Sequence, residues 1–289
     1  MKPFLKWVGG KTQILDEIIP LFPRVIKNYY EPFLGGGSVL LALLSEIQAG
    51  RIRVTGRIIA GDLNRVLVSV YKNLQEHPED LIRELGLLVT NETETKDAEP
   101  EEKKYYTRRA NFNSMSLIDR CSVNGSALFI YLNKTCFRGL YREGPAGFNV
   151  PFGHYKKPAV YDADHLRAVS RLIQPVRFRW CGFQSFTKFY SGDFVYFDPP
   201  YEPINSKSFV AYNKSGFGEQ LTNELFTMCH DLTAGGIKFI LSNSETRRVL
   251  DAFAGEQYTK KIISCKRAIN SKKPDQMVNE VLVLNWIIE

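Results

Sequence analysis

The sequence predicts an α/β protein: a doubly wound, mostly parallel sheet carrying an inserted, mostly helical segment. Three observations predict it. Short apolar runs ending in glycine or polar residues alternate with stretches of helical periodicity, the pattern of strands and crossover helices in one sheet. The alternation stops between about Tyr71 and Tyr155, a stretch too long for a plain connection. The chain has 289 residues, 44% hydrophobic and 24% charged, which is ordinary for a globular protein and enough for a core without staples.

Taken in order, helical spacing covers Thr12–Leu21, Ser38–Gln48, Asn64–Gln75, Pro78–Val89, Asp162–Leu172 and Thr222–Ala234. Strand-like runs cover Tyr29–Phe33, Arg57–Gly61, Arg177–Cys181, Phe194–Phe197, Ile237–Leu241 and Val281–Ile287, each apolar or β-branched and closed by breakers. Residues 71–155 read as helical first, then polar and loop-like. A polar loop, Lys266–Asp275, breaks a potential C-terminal hairpin. The expected division is a sheet domain from 1–70 and 156–289, with an insertion over 71–155.

Composition excludes several classes. No apolar run approaches the ~20 residues of a membrane helix, and Met1–Trp7 holds no apolar signal core. The expectation is a cytoplasmic protein that does not engage membranes. Five cysteines, none in a Cys-x-x-Cys pair, suit reduced thiols. Four scattered histidines lack metal-ligand spacing, so no metal is expected. The net charge is +7, yet residues 91–102 hold six acids and one lysine, leaving +12 elsewhere. A basic body suits a polyanion, and the acidic run reads as a solvated loop held away from it.

Four motifs carry chemistry. In Glu31-Pro32-Phe33-Leu34-Gly35-Gly36-Gly37-Ser38-Val39, a strand ends, three glycines follow and an apolar helix begins. Such a turn lets backbone approach a ligand and presents free helix N–H groups; a bare strand-to-helix turn is the alternative. Ile58–Asp62 is a strand ending in an acid 25 residues after Gly37, where an acid commonly binds a ribose hydroxyl; capping the next helix is the alternative. The two together favour an adenosine-containing ligand. The absence of Gly-x-Gly-x-x-Gly spacing disfavours a nicotinamide dinucleotide. The third motif, Asp198-Pro199-Pro200-Tyr201, closes an apolar strand. Two prolines remove two N–H donors, so carbonyls and the Asp198 carboxylate form an acceptor-only corner beside an aromatic plane. That corner suits the amino group of a flat heterocycle. The fourth, Gly9-Gly10-Lys11-Thr12, lacks the spacing and preceding strand of a phosphate loop, so an NTPase is rejected.

Together these motifs, with Lys6–Lys11, Leu132–Phe137, Gly139–Arg142 and Phe148–Gly153, resemble the Dam-type DNA adenine-N6 methyltransferases over nearly the whole chain, in their α order of motifs. The resemblance implies a methyltransferase domain with an inserted target recognition domain. It implies S-adenosylmethionine as cofactor, S-adenosylhomocysteine as product and no metal. Trp7, Lys11, Phe33, Gly35, Gly36, Gly37, Asp62 and Asp198 match positions lining the cofactor, Asp62 at its ribose. Asp198, Pro199, Pro200 and Tyr201 match the catalytic tetrad. Lys6, Asn133, Lys134, Arg138, Leu140, Arg142, His154, Lys156 and Lys157 are the candidate DNA-binding residues. Arg138 stands where the family usually has Asn, and His154 where it has Arg. The loop Glu143–Gly147 is shorter and carries Pro145. These departures leave the target sequence open, a GATC-like site included.

The expected chemistry begins with a flipped adenine. Tyr201 stacks on it, while Asp198 and the Pro199 carbonyl accept the N6 hydrogens and free the nitrogen lone pair for in-line attack on the methyl group. Arg138 and Arg142 can read guanine in the major groove or contact phosphates; Lys156 and Lys157 face phosphates. The partner is double-stranded DNA, with a cognate restriction endonuclease as a further candidate and a monomer assumed. The competing readings are methylation of cytosine N4, RNA adenine or a glutamine amide, and a DNA-binding module without catalysis.

Overall fold

A computed structural model of the chain describes residues 1–90, 100–155, 158–201, 217–266 and 277–288. The protein is mixed α/β with a mostly parallel central sheet. It divides into two compact units, each built from three segments of the chain. Lys156 and Lys157, residues 91–99 of the acidic run and residues 267–276 of the C-terminal loop lie outside the described residues. No helix among the described residues is long and apolar enough to cross a membrane.

One unit comprises Met1–Lys11, Gly35–Ser45 and Asn64–Trp180 and is mainly helical. Its helices begin with α1 (Ser38–Gln48, whose last residues leave the unit), α2 (Arg65–Glu76) and α3 (Pro78–Thr90). They continue with α4 (Glu101–Ser114), α5 (Val123–Thr135) and α6 (Ala163–Leu172). Side-chain caps set several starts: Asn64 accepts from the Leu67 N–H, Ser122 from Gly125 and Asp162 from His165, each satisfying a donor the helix cannot pair itself. α5 is the hub, packed on α2, α3 and α4, with an unbroken buried run from Gly125 to Asn133.

α4 and α5 correct the loop-like reading of this stretch. A helix buried all round shows no amphipathic stripe, which hides α5. α4 buries only Tyr105 and Phe112 among many polar residues, which hides it in the opposite way. The expected strand near Arg177 is present as Val176–Trp180.

The other unit comprises Thr12–Leu34, Glu46–Leu63 and Cys181–Glu289. Its central-sheet strands are β1 (Tyr29–Glu31), β2 (Ile58–Asp62), β3 (Phe194–Phe197), β4 (Lys238–Ser244), β5 (Thr259–Lys266) and β6 (Met277–Leu284). They lie in the order β5-β6-β4-β3-β1-β2. β2, β1, β3 and β4 are parallel neighbours; β6 runs antiparallel to β4 and β5. All four residues of β3 are buried, as a central parallel strand requires. One face of the sheet, with Tyr30, Ile59, Val195, Phe197 and Phe239, shares its core with Leu225, Phe226 and Cys229 of α7 (Glu219–Ala234) and Val249 of α8 (Arg247–Ala252).

Two expectations are corrected here. Thr12–Leu21 is not one helix: a four-residue α-turn, Leu15–Ile18, is flanked by 3-10 turns, because Pro20 cannot donate to a continuing helix. The last strand ends at Leu284 instead of Ile287. It pairs antiparallel with β5 from Thr259↔Leu284 to Lys266↔Met277, so the two C-terminal strands do form a ladder.

Candidate active site

Strand register gathers the acids at one end of the sheet. Glu31 of β1 pairs with Ala60 of β2, and Tyr30 with Val195 of β3. Asp62 is the last residue of β2, Asp198 directly follows β3 and Phe33 lies two residues past β1, so the three stand at the same end of adjacent parallel strands. β1 lies between its neighbours, and the chain steps from it to β2 on one side before returning to β3 on the other. Such a reversal opens a crevice beyond the strand ends, where open α/β sheets bind ligands.

Each group has its local support. Asp62 is half-exposed, and its carbonyl accepts from the Cys181 N–H at 3.2 Å. The cap of the following helix is Asn64, not Asp62, which removes the capping alternative. Phe33 stacks on Phe183 at 5.5 Å and 30° and meets Phe217 edge-on at 5.7 Å. Gly61 must lack a side chain, since a Cβ there would sit 2.9 Å from the Phe186 ring. Glu31 is 2% exposed and accepts the Tyr29 hydroxyl at 2.6 Å. In the tetrad, Pro199 is buried, Pro200 exposed, and Asp198 and Tyr201 half-buried. Tyr201 donates to Glu280 Oε2 at 2.7 Å and lies 2.8 Å from Ser242 Oγ. Burial first, then the charges of Asp198 and Glu280, push its phenol well above the usual range, so it stays a neutral donor.

The remaining cofactor candidates belong to the helical unit. Gly35 and Gly37 have φ of 49° and 66°. A Cβ on Gly36 would come within 2.6 Å of Trp7 Cβ, and one on Gly37 within 2.5 Å of the Tyr71 hydroxyl. The glycines are thus required by two aromatic neighbours as well as by the turn. Trp7 stacks on Tyr141 at 5.9 Å and 21°. Lys11 is 2% exposed; its N–H donates to Ser38 Oγ at 3.0 Å and its Nζ to the Gly9 carbonyl at 2.6 Å.

The described candidate DNA-binding residues share that unit, with different surroundings. Asn133 is buried, and its amide accepts the Lys6 N–H at 2.9 Å and donates to the Lys6 carbonyl at 2.6 Å and the Gly139 carbonyl at 3.3 Å. It fixes backbone. Lys6 Nζ donates to the Lys134 carbonyl at 3.1 Å and sits 4.0 Å over the Tyr155 ring. Burial, then the neighbouring Lys6, lowers the Lys134 ammonium pKa. Leu140 is half-buried. Arg142 is exposed, and its Nε donates to Asn149 Oδ1 at 2.7 Å. Arg138 and His154 are the non-glycine residues with positive φ among the described residues, at 57° and 54°.

The family model described as D12 class N6 adenine-specific DNA methyltransferase matches residues 7–268. The chain belongs to that family. It is 38% identical over 298 residues to Type II methyltransferase M.MjaIII of Methanocaldococcus jannaschii, covering 99% of both chains. It is 30% identical to the DNA adenine methylase of Haemophilus influenzae, covering 96% of this chain and 90% of the relative. It is 28% identical to the Escherichia coli DNA adenine methylase, covering 96% and 94%. The protein is a DNA adenine methyltransferase.

In this methyltransferase, four residues near the motifs escaped the sequence reading. Glu31 stands inside a quoted motif, and a carboxylate in an apolar strand was its signal. Glu280 gave the same signal within Val278–Leu284. Tyr71 and Ser242 gave none, because nothing in their local sequence marks the approach to Gly37 or Tyr201.

Proposed function

We propose that this methyltransferase uses S-adenosylmethionine to methylate N6 of an adenine flipped from double-stranded DNA. The observation that carries the reading is the convergence of Asp62, Phe33 and Asp198 at the ends of adjacent parallel strands. Their chemistry fits an adenosyl sulfonium. A ring face suits its heterocycle, a carboxylate its ribose diol, and a second carboxylate favours its positive charge. Phe33, Asp62 and Asp198 would hold it, together with Trp7, Lys11 and the loop Gly35–Gly37. When bound, the cofactor supplies an electrophilic methyl group.

The chain's own residues prepare the amine. The target amino group is paired inside the duplex, so the base must leave the stack. Tyr201 would stack on it. Asp198 and the Pro199 carbonyl would accept the two N6 hydrogens and hold the nitrogen lone pair out of conjugation with the ring. The prolines offer no competing donor. The benefit is positioning and pre-set electrostatics, and Asp198 need not take the proton before transfer.

The segment of residues 71–155 would act as the target recognition domain, leaving 1–70 and 156–289 to hold the cofactor. Lys134, Arg138, Arg142, His154, Lys156 and Lys157 would meet DNA, while Asn133 would act by fixing the Lys6 backbone. The enzyme would work in the cytoplasm as a monomer. A cognate restriction endonuclease would be its partner, in line with relatives named Type II methyltransferases.

Two measurements follow. Calorimetric titration with S-adenosylhomocysteine should show binding that Asp62→Ala weakens about 10–100-fold, the worth of one hydrogen bond to a charged group; unchanged affinity would remove Asp62 from the site. Arg138→Asn places a residue tolerant of left-handed backbone at φ 57°. It should keep or raise the Tm and change sequence preference more than turnover on the best site. Preference unaltered in a randomised-site assay would mean Arg138 reads no base.

A further inference from the structure

We infer that Glu280 is a positioning residue for methyl transfer: its carboxylate, with Ser242, fixes the ring of Tyr201 against which the target base stacks. The inference rests on the proposed stacking role of Tyr201 and extends it to a strand outside the motifs.

The geometry is specific. The Tyr201 phenol has one proton, and Glu280 Oε2 at 2.7 Å can only accept it. The Ser242 hydroxyl at 2.8 Å therefore donates to the phenol oxygen. Donor and acceptor sites of the phenol are both used. The anchors come from separate strands: Ser242 is fully buried on β4, and Glu280 on β6 pairs with Ser244 of β4. The N-terminal half of β6 alternates between exposed and half-buried residues, and Glu280 is on its half-buried side.

A charge is not needed for β6 to pair; apolar residues fill its other half. A carboxylate here adds to Asp198 a second negative group acting on Tyr201, a cost that a neutral hydrogen-bond acceptor would avoid. The return is a charge-assisted bond, stronger than a neutral one, at the far end of a ring that would otherwise pivot about its own Cβ. An acceptor corner works only if the base is held in register with it, and a displacement near 1 Å can cost on the order of 100-fold in rate.

The test is a double-mutant cycle, which isolates the coupling between two side chains. Single-turnover methylation and fluorescence of 2-aminopurine at the target position are measured for Glu280→Ala, Tyr201→Phe and the double variant. Each single change should slow transfer about 10–100-fold with the KM for S-adenosylmethionine within about twofold. The double variant should be no slower than the slower single one, and Glu280→Gln, which keeps an acceptor, should recover most of the rate. Multiplying effects would overturn the inference. Should Glu280→Ala fail to fold, Glu280→Gln serves: its smaller loss of rate should vanish in the Tyr201→Phe background, and a persisting loss would overturn the inference. Tyr201→Ala separates the two readings. Full turnover there refutes the stacking role itself; slow turnover with an additive cycle refutes only the part assigned to Glu280.

Discussion

Asp198→Ala lowers the rate of methyl transfer by on the order of 10²–10³-fold, the cost of removing one pre-set electrostatic partner from a reacting centre. The two residues that follow are prolines, which add carbonyls but no side-chain acceptor, and Tyr201 is committed to Glu280 and Ser242. Asp198→Asn keeps an acceptor oxygen and loses the charge, so its loss is smaller. Affinity for non-specific DNA should be unchanged within about twofold in both variants, because it is set by lysines and arginines releasing counterions from phosphates. Single-turnover assays alongside salt-dependent DNA binding check both halves. An Asp198→Ala enzyme with near-normal turnover would sink the proposed role.

Gly37→Ala costs stability as well as activity. At φ 66° a Cβ is opposed by its own backbone, at roughly 1–2 kcal/mol. The added carbon would also stand 2.5 Å from the Tyr71 hydroxyl. Tyr71 cannot retreat: it is fully buried, stacked on Phe178 at 5.2 Å and edge-on to Phe4 at 5.2 Å. Overpacking adds roughly 1–3 kcal/mol. The two together should lower the Tm by roughly 5–15 °C and weaken S-adenosylhomocysteine binding. Gly50→Ala is the control, since φ is 71° there too but a Cβ meets nothing within 4 Å. It should show only the backbone part of the loss. Equal Tm changes in the two variants would mean that the approach of Tyr71 does not matter.

Both positions are legible in the sequence as motifs, and so are most strands of the central sheet. The strand Phe194–Phe197 and the helix Ser38–Gln48 match their sequence boundaries residue for residue, because a breaker or cap stands at each edge. What stayed hidden was hidden for physical reasons. α5 is apolar on every side and α4 on almost none, so neither shows a stripe. Glycine was legible as a turn residue at Gly35–Gly37, yet its second cause, the approach of Trp7 and Tyr71, depends on residues distant in sequence. Asn133 illustrates the converse. The sequence resemblance suggests only a contact with DNA for it, while its hydrogen bonds to Lys6 and Gly139 appear only in three dimensions. The partnership of Tyr201 with Glu280 spans 79 residues, and no local pattern could announce it.

The decisive measurement incubates the purified enzyme and S-adenosylmethionine with unmodified genomic DNA and reads the DNA by single-molecule sequencing. The predicted result is N6-methyladenine confined to one recurring sequence, absent when Asp198→Ala replaces the wild type. Adenines that stay unmodified, in an enzyme that still binds S-adenosylhomocysteine, would contradict it.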